Sequence, residues 1–284
     1  MLGVLFDGIA YGSLLFLVSL GLSVTMGLMN FVNLAHGAFA MAGGFVCVVA
    51  MTRFGVPFLA ALPVAFVAAA IVGAILERLL YRRLYTASHL DQVLFSIGLT
   101  FMSIATATYF FGSSQQPVRL PDYLRGQVRF LGADFGVYRL FLIGAVAALT
   151  TLLGALVTRT RFGAQMRAAV DDAQAARGLG IDVDRVFSVS FALGSGLAGL
   201  GGALGIEVLG LDAGFPLKFM VYFLLVVVVG GAGTIRGPLV AAVVLGTLDV
   251  AGKYYVPQVG AFIIYAAMVL LLIAFPAGIY GRRR

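Results

Sequence analysis

His36 and His89 are the only imidazoles in this 284-residue chain, and neither stands in a spacing that binds zinc or activates a nucleophile. There is no His-Glu-x-x-His run and no Gly-x-Ser-x-Gly turn. The single cysteine, Cys47, lies in an apolar stretch, which rules out an internal disulfide and a Cys-based metal cluster. Gly194-Ser195-Gly196-Leu197-Ala198-Gly199 satisfies a dinucleotide fingerprint, yet no strand precedes it. Gly252-Lys253 is followed by Tyr254 and has Thr247 where an ATP-binding loop needs glycine. The sequence therefore offers no enzyme chemistry and no cofactor site of its own. What remains is a short polar cluster, Asn30, Asn33 and His36 beside Gly37, between two apolar runs. Such groups either satisfy backbone freed by a broken membrane helix or line a path for a solute, and both roles can hold together. Glu77 with Arg78, and Asp91, read as membrane-surface residues that pair locally.

The elements that must position this cluster are membrane helices. With 61% of residues hydrophobic and 11% charged, no compact soluble globule could hide the apolar surface. Runs such as 57–76 and 140–157 carry no formal charge, which fits helices of about 20 residues in lipid. A closed β-barrel would show weak alternation over about ten residues instead. The net charge of +7 is scattered between apolar runs, not gathered on one polar face, so nucleic acid is not a partner. Asp7 is the first charge and no base precedes the first apolar run, so 4–27 reads as a retained span and not as a signal peptide.

The fold expected is all-α, a single polytopic transmembrane domain over 1–284 with about eight membrane segments, some discontinuous. They fall at 4–27, 36–51, 57–76, 92–111, 137–158, 185–206, 218–230 joined through a break to 238–250, and 260–278. Alternation across the bilayer collects Arg78, Arg82, Arg83, Arg159, Arg161, Arg167, Arg177, Arg185, Arg236 and Arg282 to Arg284 on one side, twelve of nineteen bases. That side is cytoplasmic by the positive-inside rule, leaving the N-terminus and loop 112–136 outside.

Segments 36–51, 218–230 and 238–250 are too short to span about 30 Å of hydrocarbon. Each of the breaks at 29–33 and 230–234 precedes a run of small residues, the trace expected of a transporter built from internal repeats. Glycines at helical spacing, such as Gly194, Ala198 and Gly202, are expected to let helix backbones approach closely.

The stretch 159–184 is too polar for the membrane and too long for a tight turn. Asp172 is placed to cap a short helix Ala173–Gly178, with Gly180 as its stop. It reads as a solvated connector or as a docking helix presenting Ala175, Ala176 and Leu179 on adjoining faces.

This segment, with Asn30-Phe31-Val32-Asn33-Leu34-Ala35-His36-Gly37, Val229-Gly230-Gly231-Ala232-Gly233-Thr234-Ile235-Arg236-Gly237-Pro238 and the closing Phe275-Pro276-Ala277-Gly278-Ile279, resembles the permeases of high-affinity branched-chain amino acid ABC importers. The likeness covers essentially the whole chain and is nearer the shorter, H-type partner, departing slightly at Val32-Asn33-Leu34. It implies a heterodimer with a second permease, two cytoplasmic ATPase subunits that hold ATP and Mg, and a periplasmic binding protein, in the bacterial inner membrane. It also implies coupling to the ATPases through Asp172, Ala173, Gln174, Ala175, Ala176, Gly178, Leu179 and Gly180. Asn30, Asn33, His36 and Gly37 are the candidates for the substrate pathway.

Other classes fit less well. A channel for a small neutral solute gives no reason for the helical cytoplasmic stretch, and a secondary transporter calls for an intramembrane acid that the spans scarcely offer. An intramembrane enzyme lacks its motif. The substrate itself is not legible: branched-chain amino acids are the family default, with amides and aromatic acids as relatives' alternatives.

Overall fold

The computed structural model describes residues 1–280 apart from Asn30, Val32, Arg119, Leu131 and Ala232. In chain order its helices are α1 (Leu2–Met29), α2 (His36–Phe54), α3 (Phe58–Leu79), α4 (His89–Phe111), α5 (Val137–Arg159), α6 (Arg161–Asp171), α7 (Ala173–Gly178), α8 (Val183–Leu209), α9 (Phe215–Gly230), α10 (Arg236–Tyr255) and α11 (Gly260–Ala274). One hairpin, β1 (Gln127–Phe130) with β2 (Ala133–Gly136), interrupts the all-α architecture. Among the described residues six helices, α1 to α5 and α8, are long and apolar enough to cross a membrane, and α9 and α11 are shorter apolar helices.

Two length expectations are corrected. Helix α2 runs 19 residues, not 16, and stops where Gly55 enters the left-handed region at φ 64°. Helix α10 runs 20 residues through Asp249 and Lys253, because a polar side chain does not end a backbone hydrogen-bond ladder. The stretch joined as 218–230 and 238–250 is two antiparallel helices: a side chain on Gly230 would strike Pro238, and Lys253 reaches the Tyr222 ring.

Helices α1 and α8 form the centre, both mostly buried within the protein, while α4 and α5 face outward. They cross antiparallel where Gly21 and Gly194 meet, and a Cβ on Gly194 would lie 3.1 Å from the Gly21 carbonyl oxygen. Helix α3 lies along α8, and α10 lies along α1, where a Cβ on Gly246 would come 2.5 Å from Gly12 Cα. In lipid, where no hydrophobic drive holds helices together, this backbone proximity supplies the van der Waals contact.

The arrangement repeats. A long central helix, a break, a second helix and a third that returns along the opposite central helix describe both α1–α2–α3 and α8–α9–α10. The counterpart of the break after α1 is thus residues 210–214, not 230–234 as the matching glycine runs suggest.

The connections gather at two ends. At one, β2 meets α1 through Phe6 and Phe135, ring centroids 4.8 Å apart, and Asp7 pairs with Arg139. Residues 112–136, expected as a plain loop, fold there into a 3-10 turn at Asp122–Leu124 and the hairpin, with Val128 opposite Phe135. At the other end lie the turn 80–88, helices α6 and α7, and the α9–α10 turn, where Gly233 N–H donates to the Ser23 carbonyl. We call these the hairpin end and the connector end.

Candidate functional site

Helix α2 begins inside the bundle. His36 Nε2 lies 2.8 Å from the Val18 carbonyl oxygen, and since a carbonyl only accepts, the imidazole carries its proton on Nε2. Val18 stands about 16 Å along the axis from the end of α1 at about 1.5 Å per residue, so His36 at the start of α2 lies deep within the protein. Helix α9 also starts within, after Leu211 and Ala213, both buried, and the Asp212 carboxylate accepts from Gly214 N–H at 2.8 Å. The two N-termini meet: a side chain on Gly37 would sit 3.0 Å from Pro216 Cα.

Beside the start of α2, against the second and third turns of α9, is a crevice lined by Leu22, Asn33, His36, Gly37, Met220 and Phe223, among others, with no room for a water molecule. Asn33, 1% exposed, accepts through Oδ1 from Ala35 N–H at 3.1 Å and from the Tyr81 hydroxyl at 3.0 Å. Its Nδ2 is buried without an acceptor among the described residues. Burial holds the Tyr81 phenol well above its usual value, with the Asn33 bond opposing in part, so it stays a donor. Three of the four pathway candidates, Asn33, His36 and Gly37, therefore converge, and Asn30 lies outside the described residues. Tyr81 was not singled out in the sequence: it comes from a turn 48 residues beyond Asn33.

At the connector end Thr160 caps α6, its hydroxyl accepting from Gly163 N–H at 3.0 Å. Asp172 then caps α7, its Oδ1 accepting from Gln174 N–H and Ala175 N–H at 2.9 Å each. Gly180 at φ 82° turns the chain, and Ile181 N–H closes on the Ala176 carbonyl at 3.1 Å. Gln174, Ala175, Gly178, Leu179 and Gly180 are exposed, Leu179 to 81%, and Ala173 is half-buried. Ala176 departs from the expectation of adjoining outward faces. It is 2% exposed, because so short a helix must press one side onto the bundle to stay ordered. Arg177 and Asp184 at 2.8 Å tie α7 to α8, a bond that solvent screens.

Glu77 is not a surface residue paired with Arg78. It is fully buried at the connector end of α3, where it accepts from the Tyr85 hydroxyl at 2.7 Å and the Ser188 hydroxyl at 2.6 Å. Arg82 Nε stands 3.6 Å away and an Arg82 guanidinium N–H donates to Ser188 at 3.1 Å. Burial, and next the hydrogen bond to Glu77, push the Tyr85 phenol up, so it too remains a donor. Among the described residues no group of His, Cys, Asp and Glu could hold a metal ion.

Residues 4–272 match the protein family described as branched-chain amino acid transport system / permease component. The chain is 27% identical to the high-affinity branched-chain amino acid transport system permease protein LivH of Salmonella typhimurium, over 98% of this chain and 94% of that one. It is 25% identical to the corresponding permease protein BraD of Pseudomonas aeruginosa, over 98% and 95%. The probable branched-chain amino acid transport permease protein LivH of Methanocaldococcus jannaschii is 26% identical over 98% and 92%. No solved structure matches significantly. A multi-pass bundle of apolar helices, broken twice at its centre and matched to these permeases from end to end, is not an enzyme but a transport subunit. The chain belongs to the branched-chain amino acid transport system permease family.

Proposed function

We propose that the chain is one membrane-spanning half of an ABC importer in the bacterial inner membrane, moving branched-chain or related amino acids, amides or aromatic acids included, into the cytoplasm. A second permease, two cytoplasmic ATPases that bind ATP and Mg, and a periplasmic binding protein complete the assembly. The relatives' names support the substrate class.

In this reading the connector end is cytoplasmic and α7 docks an ATPase. The observation that carries it is the geometry of α7: capped by Asp172, sealed by Ala176, and turning Ala175 and the 81% exposed Leu179 outward. Small residues around one protruding leucine fit a groove in a partner. Helix α8 follows directly and reaches Glu77 through Ser188 and α1 through Gly194, so a displacement of α7 is delivered to the bundle centre.

The pathway passes the crevice between the N-terminus of α2 and the flank of α9. A helix N-terminus carries partial positive charge, which suits a substrate carboxylate, and Asn33 Nδ2 adds a donor. The crevice is closed, as one state of an alternating-access cycle requires. ATP-driven closure of the ATPases shifts that cycle only to the extent that they contact its states differently.

Leu179→Asp and Ala175→Trp should abolish ATPase co-purification or uncouple hydrolysis from uptake, while the chain still inserts and pairs with its membrane partner. Unchanged uptake and stimulated hydrolysis in both would make the segment a solvated connector.

A further inference from the structure

Glu77 on α3 and Asp249 on α10 occupy matching places in the two repeats. Each is a buried acid about one turn beyond the glycine at which its helix touches the opposite central helix, Gly73 against Ser195 of α8 and Gly246 against Gly12 of α1. Each has a base shortly after it, Arg82 and Lys253. Their hydrogen bonding differs. Both oxygens of Glu77 accept from hydroxyls, Tyr85 and Ser188. Asp249 Oδ2 accepts from Lys253 Nζ at 2.6 Å, but Oδ1 is buried with no donor among the described residues. An unpaired buried carboxylate oxygen is costly, and the Glu77 copy of the motif shows that this fold can supply both donors.

The surroundings indicate what donor is missing. The Lys253 ammonium lies 5.9 Å from the Tyr11 ring and 5.9 Å from the Tyr222 ring, and Tyr222 lies 6.2 Å from Tyr265. Asp249 is 1% exposed, whereas the Lys253 side chain is half-exposed on a flexible stem toward the hairpin end. A buried anion beside a cation, walled by aromatic faces, is the charge complement of a zwitterion. An incoming ammonium on Asp249 Oδ1 and a carboxylate on a free Lys253 N–H give four alternating charges with no net charge, and the tyrosine faces favour the ammonium.

We propose that Asp249, Lys253, Tyr11 and Tyr222 form a binding site for the zwitterionic head of an α-amino acid at the hairpin end of the permease. The choice of substrate class rests on the importer reading above. Asp249 holds the ammonium and Lys253 the carboxylate. A ligand lacking either charge leaves one of them without its second partner, so the site discriminates amino acids from plain amines and acids.

The test is direct binding of radiolabelled L-leucine to the purified permease–ATPase complex without its binding protein, with leucinamide and 4-methylpentanoate as competitors. Wild type should bind leucine and be displaced poorly by either analogue. Asp249→Asn should weaken leucine by about thirtyfold or more. Lys253→Met should bind leucinamide as well as leucine. No leucine binding by wild type, or wild-type affinity and selectivity in Lys253→Met, would reduce the group to a structural ion pair. That second variant decides the matter if Asp249→Asn fails to assemble. ATP-driven uptake by the same preparation reports separately: uptake without direct binding removes this site and leaves the importer, while binding without uptake does the reverse.

Discussion

Ser188 on α8 donates a 2.6 Å hydrogen bond to Glu77 on α3, joining the helix that follows α7 to a fully buried carboxylate. Glu77→Ala leaves the Tyr85 and Ser188 hydroxyls without their acceptor and Arg82 without its counter-charge, and should lower stability by about 1–3 kcal/mol for each hydroxyl left unpaired. Glu77→Gln keeps an acceptor and should cost about 1–3 kcal/mol. Thermal unfolding of the detergent-solubilised complex orders the two variants, and equal melting temperatures would deny the network its structural role.

Asp172→Ala removes one side-chain acceptor that serves two backbone N–H groups, and should cost about 1 kcal/mol of local helix stability with only a mild loss of coupling. Ala176→Trp is a different experiment from Leu179→Asp, because Ala176 faces its own protein. It should damage folding as well as coupling, whereas Leu179→Asp should leave the melting temperature unchanged. Hydrogen exchange and melting curves on the three variants separate these effects.

At the crevice, His36→Ala removes the bond to Val18 and should lower stability and uptake together. Asn33→Asp keeps the acceptor for Tyr81 and Ala35 but puts a buried negative charge where the free Nδ2 donor stood, so stability and uptake should both fall. Wild-type uptake by both variants would remove the crevice from the pathway.

Asp122 in the 3-10 turn and Gln174 on α7 lie at opposite ends of the bundle. In a Cys47→Ala background, Asp122→Cys should react with a membrane-impermeant thiol reagent from the periplasm and Gln174→Cys only from the cytoplasm. Labelling of both from one side overturns the topology.

Local signals were legible where they decided structure alone. The Asp172 cap and the Gly180 stop define α7 to the residue, since capping needs only near neighbours. The fate of Ala176 was not, because which face seals a short helix depends on its neighbours α6 and α8. Glu77 looked like a surface acid because its partners Tyr85 and Ser188 are 8 and 111 residues away. Asp249 vanished inside an apolar run, and its surroundings exist only once α1, α9 and α10 are brought together. The hairpin escaped notice because four-residue strands leave little alternation to read.

The central claim is that this permease moves an amino acid only when partner ATPases drive it. It is tested most directly by reconstituting the chain with its second permease and ATPases in liposomes, adding the loaded binding protein outside, and following labelled amino acid uptake with ATP sealed within. The account predicts uptake against a gradient that requires both ATP and the binding protein, and that Leu179→Asp abolishes. Uptake that proceeds without ATP, running down its own gradient or driven by an ion gradient, would contradict it and identify a channel or a secondary transporter.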